Sequence, residues 1–279
     1  MKITLLTQNI HTYPAPIRIG LFLLILLFLW LPFALPIYLT LNNNDPNLVS
    51  ILTMGLLYIE FMILLRYWSQ QVYQNRQGLN YYGLVWNRKN GIELVNGLSI
   101  GFVFTLALFI VEALLGWVKF QSPSPNFWSI VVEGLLVGLG IGLAEELLFR
   151  GWILDELQRD YNPKIALWSN SILFGILHFL KPLSEIIRTF PQFPALVLLG
   201  LTLVWAKWSC CGRLGMSIGL HWGLVWGYYL INVGKLVSYT DNISPWITGV
   251  DKNPLAGLMG LLFLSLLAGI MRRKAKRFS

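Results

Sequence analysis

Glu145 and Glu146 stand side by side near the end of an apolar run, with Arg150 four residues beyond the second. Ionisable groups are costly in hydrocarbon, so each one inside an apolar run is a functional candidate by default. The others of this kind are Glu60, Glu112, Glu133, His178 and His221. On a helix, residues four apart are neighbours, and Glu ahead of a basic residue is the favourable order. Glu146 is therefore expected to pair with Arg150, which offsets part of the cost of burying either charge. Glu145 is turned about 100° away on the same helix. It shares a face with Gly142 and Phe149 and meets no cation of its own helix, so it is the carboxylate left available. Asn170, Phe174 and His178 stack at i, i+4 and i+8 on one face of a later helix, and Ser217 shares a face with His221 on a third. One carboxylate and two imidazoles brought together suit either a general base acting on water or a three-ligand set for a divalent metal such as zinc. The sequence leaves both open. Taken singly, each of these residues also fits an ordinary structural place at a helix end.

The elements that must position them are helices in a membrane. Hydrophobic residues make up 56% of the chain and charged residues 12%, about half the charge usual in soluble domains. Twelve Trp and eleven Tyr suit aromatic belts at membrane interfaces. About eight apolar segments are long enough to cross or nearly cross a bilayer. They run Ile17–Leu41, Leu48–Leu65, Leu94–Val118, Phe127–Phe149, Ile165–Leu180, Ala195–Trp205, Gly215–Ile231 and Pro254–Met271. Nothing alternates with period two as barrel strands would, so the fold class is all-α, a polytopic transmembrane helix bundle. The first run is too long for a signal-peptide core and is expected to be a retained span bent at Pro32 and Pro36. Gly138, Gly140, Gly142, Gly175, Gly215, Gly219 and Gly223 would let the helices approach closely. The expected organisation is N-terminal spans with an interfacial loop over 1–92, a core over 93–232, and a last span with a basic tail over 233–279. The aromatic-rich segment Arg66–Glu93 is expected to lie along the cytoplasmic interface.

The net charge of +8 reflects loop placement, with Arg272, Arg273, Lys274, Lys276 and Arg277 crowded at the end of the chain. That pattern is a positive-inside signal and not a nucleic-acid footprint, so no nucleic-acid partner is expected. Arg66, Arg76, Arg88 and Lys89 follow the second span, Arg150, Arg159 and Lys164 the fourth, and Lys207 and Arg213 the sixth. Asn42–Asn47 carries no basic residue. The alternation places both termini in the cytoplasm. Cys210 and Cys211 are adjacent and imply neither a disulfide framework nor a metal site.

With these motifs the chain resembles the CPBP family, the CAAX-protease and bacteriocin-processing (Abi) intramembrane proteases that include type II CAAX prenyl endopeptidases. That family carries Glu-Glu-x-x-x-Arg, then Phe-x-x-x-His, then His-x-x-x-Asn/Asp on separate transmembrane helices. Glu145, Glu146 and Arg150 match the first motif, Phe174 and His178 the second, and His221 the start of the third. Val225 stands where the family has Asn or Asp. The resemblance covers about Glu93 to Gly227. It implies an intramembrane endopeptidase with Glu145, His178 and His221 as catalytic residues and Glu146, Arg150 and Phe174 in support. Glu145 would be the base, helped by His178, and His221 would stabilise the oxyanion. The family has been described both as glutamic and as metalloprotease, so the cofactor is either none or a divalent metal held by Glu145, His178 and His221. In the family the Asn assists the second His. Losing such a donor typically costs about 10²–10³ in rate, and Ser217 or Tyr228 are the nearest substitutes. The partners implied are membrane lipid and a peptide or protein substrate, membrane-associated or prenylated. A non-catalytic scaffold or immunity-type protein on the same fold is the rival, and a proton-coupled transporter using Glu60, Glu112 and Glu133 a more distant one.

Overall fold

The computed structural model describes residues 9–41, 45–240 and 243–276. Asn42–Asn44 of the first expected outer loop and Arg277 of the basic tail lie outside the described residues. The chain forms two compact units, Met1–Gly83 with Asp155–Tyr161, and Leu84–Leu154 with Asn162–Ser279.

In the first unit, α1 (Ala15–Leu41) runs through Pro32 and Pro36 as one helix, and α2 (Pro46–Gln71) packs against it. Asp45 caps α2 through Leu48 N, with Pro46 at the first helical position, where its missing N–H is no loss. Phe22 meets Phe61 and Trp68 edge-on with centroids 5.8 and 5.3 Å apart. Arg18 is buried and bonds Glu156 at 2.7 Å and Asp160 at 3.2 Å. Tyr73 donates to both oxygens of Glu156, at 2.7 and 2.5 Å. Burial and the Glu156 charge push the Tyr73 hydroxyl above its ordinary range, which keeps it a donor. Arg159 covers the Tyr73 ring at 3.6 Å and bonds the Tyr81 hydroxyl. Tyr82 is wholly buried. Within the Arg66–Glu93 segment, Tyr73 and Tyr81 are thus tied to Glu156 and Arg159, while the Tyr82 hydroxyl has no hydrogen-bond partner among the described residues. Trp86 alone of that segment's aromatics is fully exposed.

The second unit contains α3 (Arg88–Leu114), β1 (Val118–Phe120), α4 (Phe127–Glu146), a π-helical segment (Leu147–Ile153), α6 (Pro163–Leu177), α7 (Leu183–Thr189), α8 (Phe193–Trp208), α9 (Gly215–Asn232), β2 (Val237–Tyr239), α10 (Pro245–Thr248) and α11 (Leu258–Ala275). The π segment continues into α5 (Leu154–Asp160), which belongs with the first unit apart from its first residue. β1 and β2 pair antiparallel, Val118 opposite Tyr239, a short ribbon that the apolar pattern did not announce.

α9 is the axis of this unit and packs on α3, α4 and α8. Gly215, Gly219 and Gly223 recur every four residues and bring one face of α9 against the α3 backbone. A Cβ at Gly219 or Gly223 would overlap the carbonyl of Leu94 or Leu98. Gly97 and Gly101 of α3 answer from the other side, against Met216 and Leu220 carbonyls. Gly138 and Gly142 set α4 against Trp222. Gly140 faces open space and takes no part. Small residues thus do what apolar area does in water, since hydrocarbon gives helices no hydrophobic reason to associate.

Helices form at all eight expected segments. Five stretches are long and apolar enough to cross a membrane by length and composition: Ala15–Leu41, Pro46–Gln71, Arg88–Leu114, Phe127–Asp160 and Leu183–Trp208. The chain is an integral membrane protein of helical class. The remaining expected spans are shorter or more basic. α6 has 15 residues, about 22 Å of helix against a hydrocarbon core of about 30 Å. Arg272, Arg273 and Lys274 lie within α11.

Candidate active site

Glu145 and Glu146 end α4, where the helix widens into the π segment. π-helical turns are rare interruptions of α-helices and frequently mark functional sites. This one is held by side chains from other helices. The Phe149 carbonyl accepts from Asn170 Nδ2 at 2.7 Å, and the Arg150 carbonyl accepts from Lys207 Nζ at 2.6 Å. Sequence reasoning placed Lys207 among the loop cations. It is instead buried on α8. Arg213, the other, pairs with buried Glu93 at 2.5 Å. Both positions end or follow an apolar helix, and composition alone cannot separate a solvated cation there from a bonded one.

The expected pair forms. Glu146 Oε1 accepts from Arg150 Nη1 at 2.9 Å with both side chains wholly buried. Arg150 also reaches the Gly200 carbonyl at 3.4 Å and lies over the Phe174 ring at 4.2 Å, a cation on the negative face of an arene. The same Glu146 Oε1 lies 2.9 Å from His221 Nδ1, a contact that spacing within one helix could not reveal. His178 caps α6, its Nδ1 2.8 Å from its own Phe174 carbonyl. Carbonyl and carboxylate oxygens only accept, so in each ring Nδ1 carries the proton and, in the neutral imidazole, Nε2 is left as the acceptor.

Both Nε2 atoms face Glu145. Its Oε2 lies 3.9 Å from His178 Nε2 and 3.9 Å from His221 Nε2. These gaps are too long for direct hydrogen bonds. Glu145 Oε2 is buried and has no hydrogen-bond partner among the described residues, an exception in a folded protein that calls for a reason. Phe174 is the wedge of the site, with ring centroids 4.6 Å from His178, 6.2 Å from His221 and 5.0 Å from Phe149. Its ring thus packs against the Arg150 guanidinium as well as both imidazoles.

Glu145, His178, His221 and Val225 line one cavity of about 380 Å³. Its other walls are mainly Leu and Phe side chains from α3, α8, α9 and α11, with Ile141 of α4. Glu60, Glu112 and Glu133, the residues of a possible proton path, do not line it. Ser217 Oγ donates to the Leu214 carbonyl at 3.0 Å and Tyr228 Oη to the Lys252 carbonyl at 3.2 Å. Neither hydroxyl is free to replace the donor missing at Val225.

The fit of a metal follows from the donors themselves. Fixed Nδ1 atoms and free Nε2 lone pairs are what metal-ligating histidines present. Even so, among the described residues no group of three or more His, Cys, Asp or Glu side chains stands in an arrangement that could hold a metal ion. As placed, Glu145, His178 and His221 do not form such a group. Cys210 and Cys211 are free thiols.

No curated protein and no solved structure matches this chain. The motif resemblance was expected to reach back to Glu93, but helix α3 holds none of the motif residues, and the family match begins after it. Residues 126–227, which carry Glu145, Glu146, Arg150, Phe174, His178, His221 and Val225, match the protease family described as type II CAAX prenyl endopeptidase Rce1-like.

Proposed function

We propose that the protein is an intramembrane endopeptidase that hydrolyses a peptide bond of a membrane-associated substrate, with Glu145 as the base that activates water. The convergence of Glu145 Oε2 with two imidazole Nε2 atoms at 3.9 Å carries this proposal. Gaps of that size admit one water in contact with both groups. Glu145 takes a proton from the water as its oxygen adds to the carbonyl carbon. The same proton passes to the amide nitrogen as the C–N bond breaks, leaving an acid and an amine. His178 positions the water. His221, held at Nδ1 by Glu146, faces the oxyanion through Nε2 and stabilises it in its imidazolium form, in which both ring nitrogens donate. Arg150 neutralises Glu146 and holds the end of α4.

The apolar cavity favours a substrate with a hydrophobic or lipidated segment near the cleaved bond. The family match extends this to prenylated C-terminal peptides. The partners are then membrane lipid and a peptide or protein substrate, and both termini lie in the cytoplasm. A scaffold would have no use for an unpartnered buried carboxylate oxygen facing two imidazoles.

Glu145→Gln preserves shape and removes the base. Cleavage of a fluorogenic lipidated peptide in micelles is expected to fall by about 10²–10⁴. A wild-type rate in that variant refutes the assignment. Activity that survives chelation, in protein without stoichiometric zinc, is the outcome expected for the metal-free mechanism. Loss on chelation with recovery on zinc would instead make Glu145, His178 and His221 ligands.

A further inference from the structure

Seven polar residues line the cavity, and five are already occupied. Glu145, His178 and His221 form the candidate site. Thr105 Oγ1 donates to its own helix at Gly101, and Tyr228 Oη to the Lys252 carbonyl. Gln192 and Asn253 are the other two. No side-chain hydrogen bond of Gln192 occurs among the described residues, and it precedes α8 without capping it. Asn253 accepts from Leu255 N at 3.0 Å through Oδ1, which fixes the amide plane and leaves Nδ2 without a partner. Polar groups few in number and unpaired in an apolar cavity are the ones a ligand is placed to satisfy.

The two amides come from separate segments that are tied together. Gln192 ends a 3-10 turn that follows α7, and Arg188 of α7 pairs with Asp251, two residues before Asn253. The loop bearing Asn253 is held in an uncommon shape. Asp251 and Lys252 have φ of 57° and 62°, the left-handed region that side-chain-bearing residues seldom adopt. The Lys252 carbonyl accepts from both Tyr228 at 3.2 Å and Tyr239 at 3.4 Å. Local strain of this kind persists where surroundings enforce it, and here the enforced result is the placement of Asn253 at the cavity. Tyr228 lies seven residues beyond His221 on α9, about 10 Å along the axis. The loop it anchors is thus too far from His221 to serve the oxyanion, and at a distance suited to residues of a peptide flanking the cleaved bond.

We propose that Gln192 and Asn253 form a main-chain clamp, binding the backbone C=O and N–H groups of an extended peptide a few residues from the scissile bond. Uncharged amides match peptide groups and offer no preference for a charged side chain. Selection among substrates then falls to the apolar walls. Gln192 lies inside the segment that matches the protease family and Asn253 outside it, so the clamp joins the matched segment to a loop beyond it. The inference rests on the peptidase proposal.

Gln192→Met removes one amide with little change of shape, and Asn253→Ser keeps an acceptor for Leu255 N while replacing the amide NH2 by a shorter hydroxyl that falls short of its reach. Each is expected to raise KM about threefold to tenfold, the value of one hydrogen bond, with kcat within about twofold. Peptides in which single backbone amides are replaced by esters supply the partner half of a double-mutant cycle. One ester position should weaken wild type by the same factor and leave the matching variant unaffected. Binding of the same fluorescent peptides to Glu145→Gln protein, read by anisotropy, gives this comparison without turnover. Unchanged KM and binding in both variants, or ester effects equal in wild type and variants, overturn the clamp. Amide-dependent binding without cleavage by wild type would sink the hydrolysis proposal and leave the clamp. Cleavage by variants that do not distinguish amide from ester would do the reverse.

Discussion

Two buried carboxylate clusters in this molecule are built to different ends. Around Glu156 both oxygens are engaged: Arg18 bonds one at 2.7 Å, and the Tyr73 hydroxyl shares its one proton between the two, at 2.7 and 2.5 Å. At the end of α4 the accounting is left open. Glu146 has Arg150 and His221, yet Glu145 Oε2 has no hydrogen bond among the described residues and faces two imidazole Nε2 atoms. Glu146 Oε2, Arg150 Nε and Asn170 Oδ1 likewise have no hydrogen-bond partner among the described residues. A saturated cluster fixes a fold. An unsaturated one keeps reactivity at the expense of stability, the usual mark of a functional site.

The comparison breaks most visibly at the arginines. Arg150→Met leaves Glu146 ionisable and buried beside His221, and a loss of about 3–5 kcal/mol is expected, as for other buried pairs that lose one partner. Arg18→Met should cost a comparable amount by stranding Glu156. Thermal unfolding in detergent checks both. The two differ in what survives, since activity per folded molecule should collapse in the first variant and persist in the second. Tyr73→Phe removes a donor to a charged acceptor, worth about 1.5–3 kcal/mol, and shifts only the melting temperature. At the open cluster, Val225→Asn restores a donor one turn from His221 at the cavity wall. It should raise kcat about tenfold with little change in stability, a fraction of the 10²–10³ that an oxyanion donor is worth in a tuned site. An unchanged rate would show that the oxyanion does not form beside Val225.

Legibility in the sequence followed the range of the interaction. The Glu146–Arg150 pair was readable because both partners lie on one helix at a fixed offset. The eight helical segments were readable because apolar length is a local property. The likeness of three spaced motifs to a known family brought His178 and His221 to Glu145, which spacing alone could not do. Bonds between distant segments stayed hidden: Glu146 to His221, Lys207 to the Arg150 carbonyl, and Arg18 to Glu156. Lys207 was counted as a loop charge because nothing local distinguishes a cation that caps a π turn from one that faces water. Gly97 and Gly101 were likewise passed over, since a pair of glycines on α3 stands out less than the runs on α4 and α9, and the close contact shows only once both partners are known.

The central claim is that the open carboxylate is the reactive one. The direct measurement sets Glu145→Gln beside Glu156→Gln, recording single-turnover cleavage of one lipidated peptide and melting temperature for each. Glu145→Gln should lose about 10²–10⁴ in rate and keep its melting temperature, while Glu156→Gln should melt earlier and cleave normally when folded. Cleavage by Glu145→Gln at the wild-type rate would contradict the account.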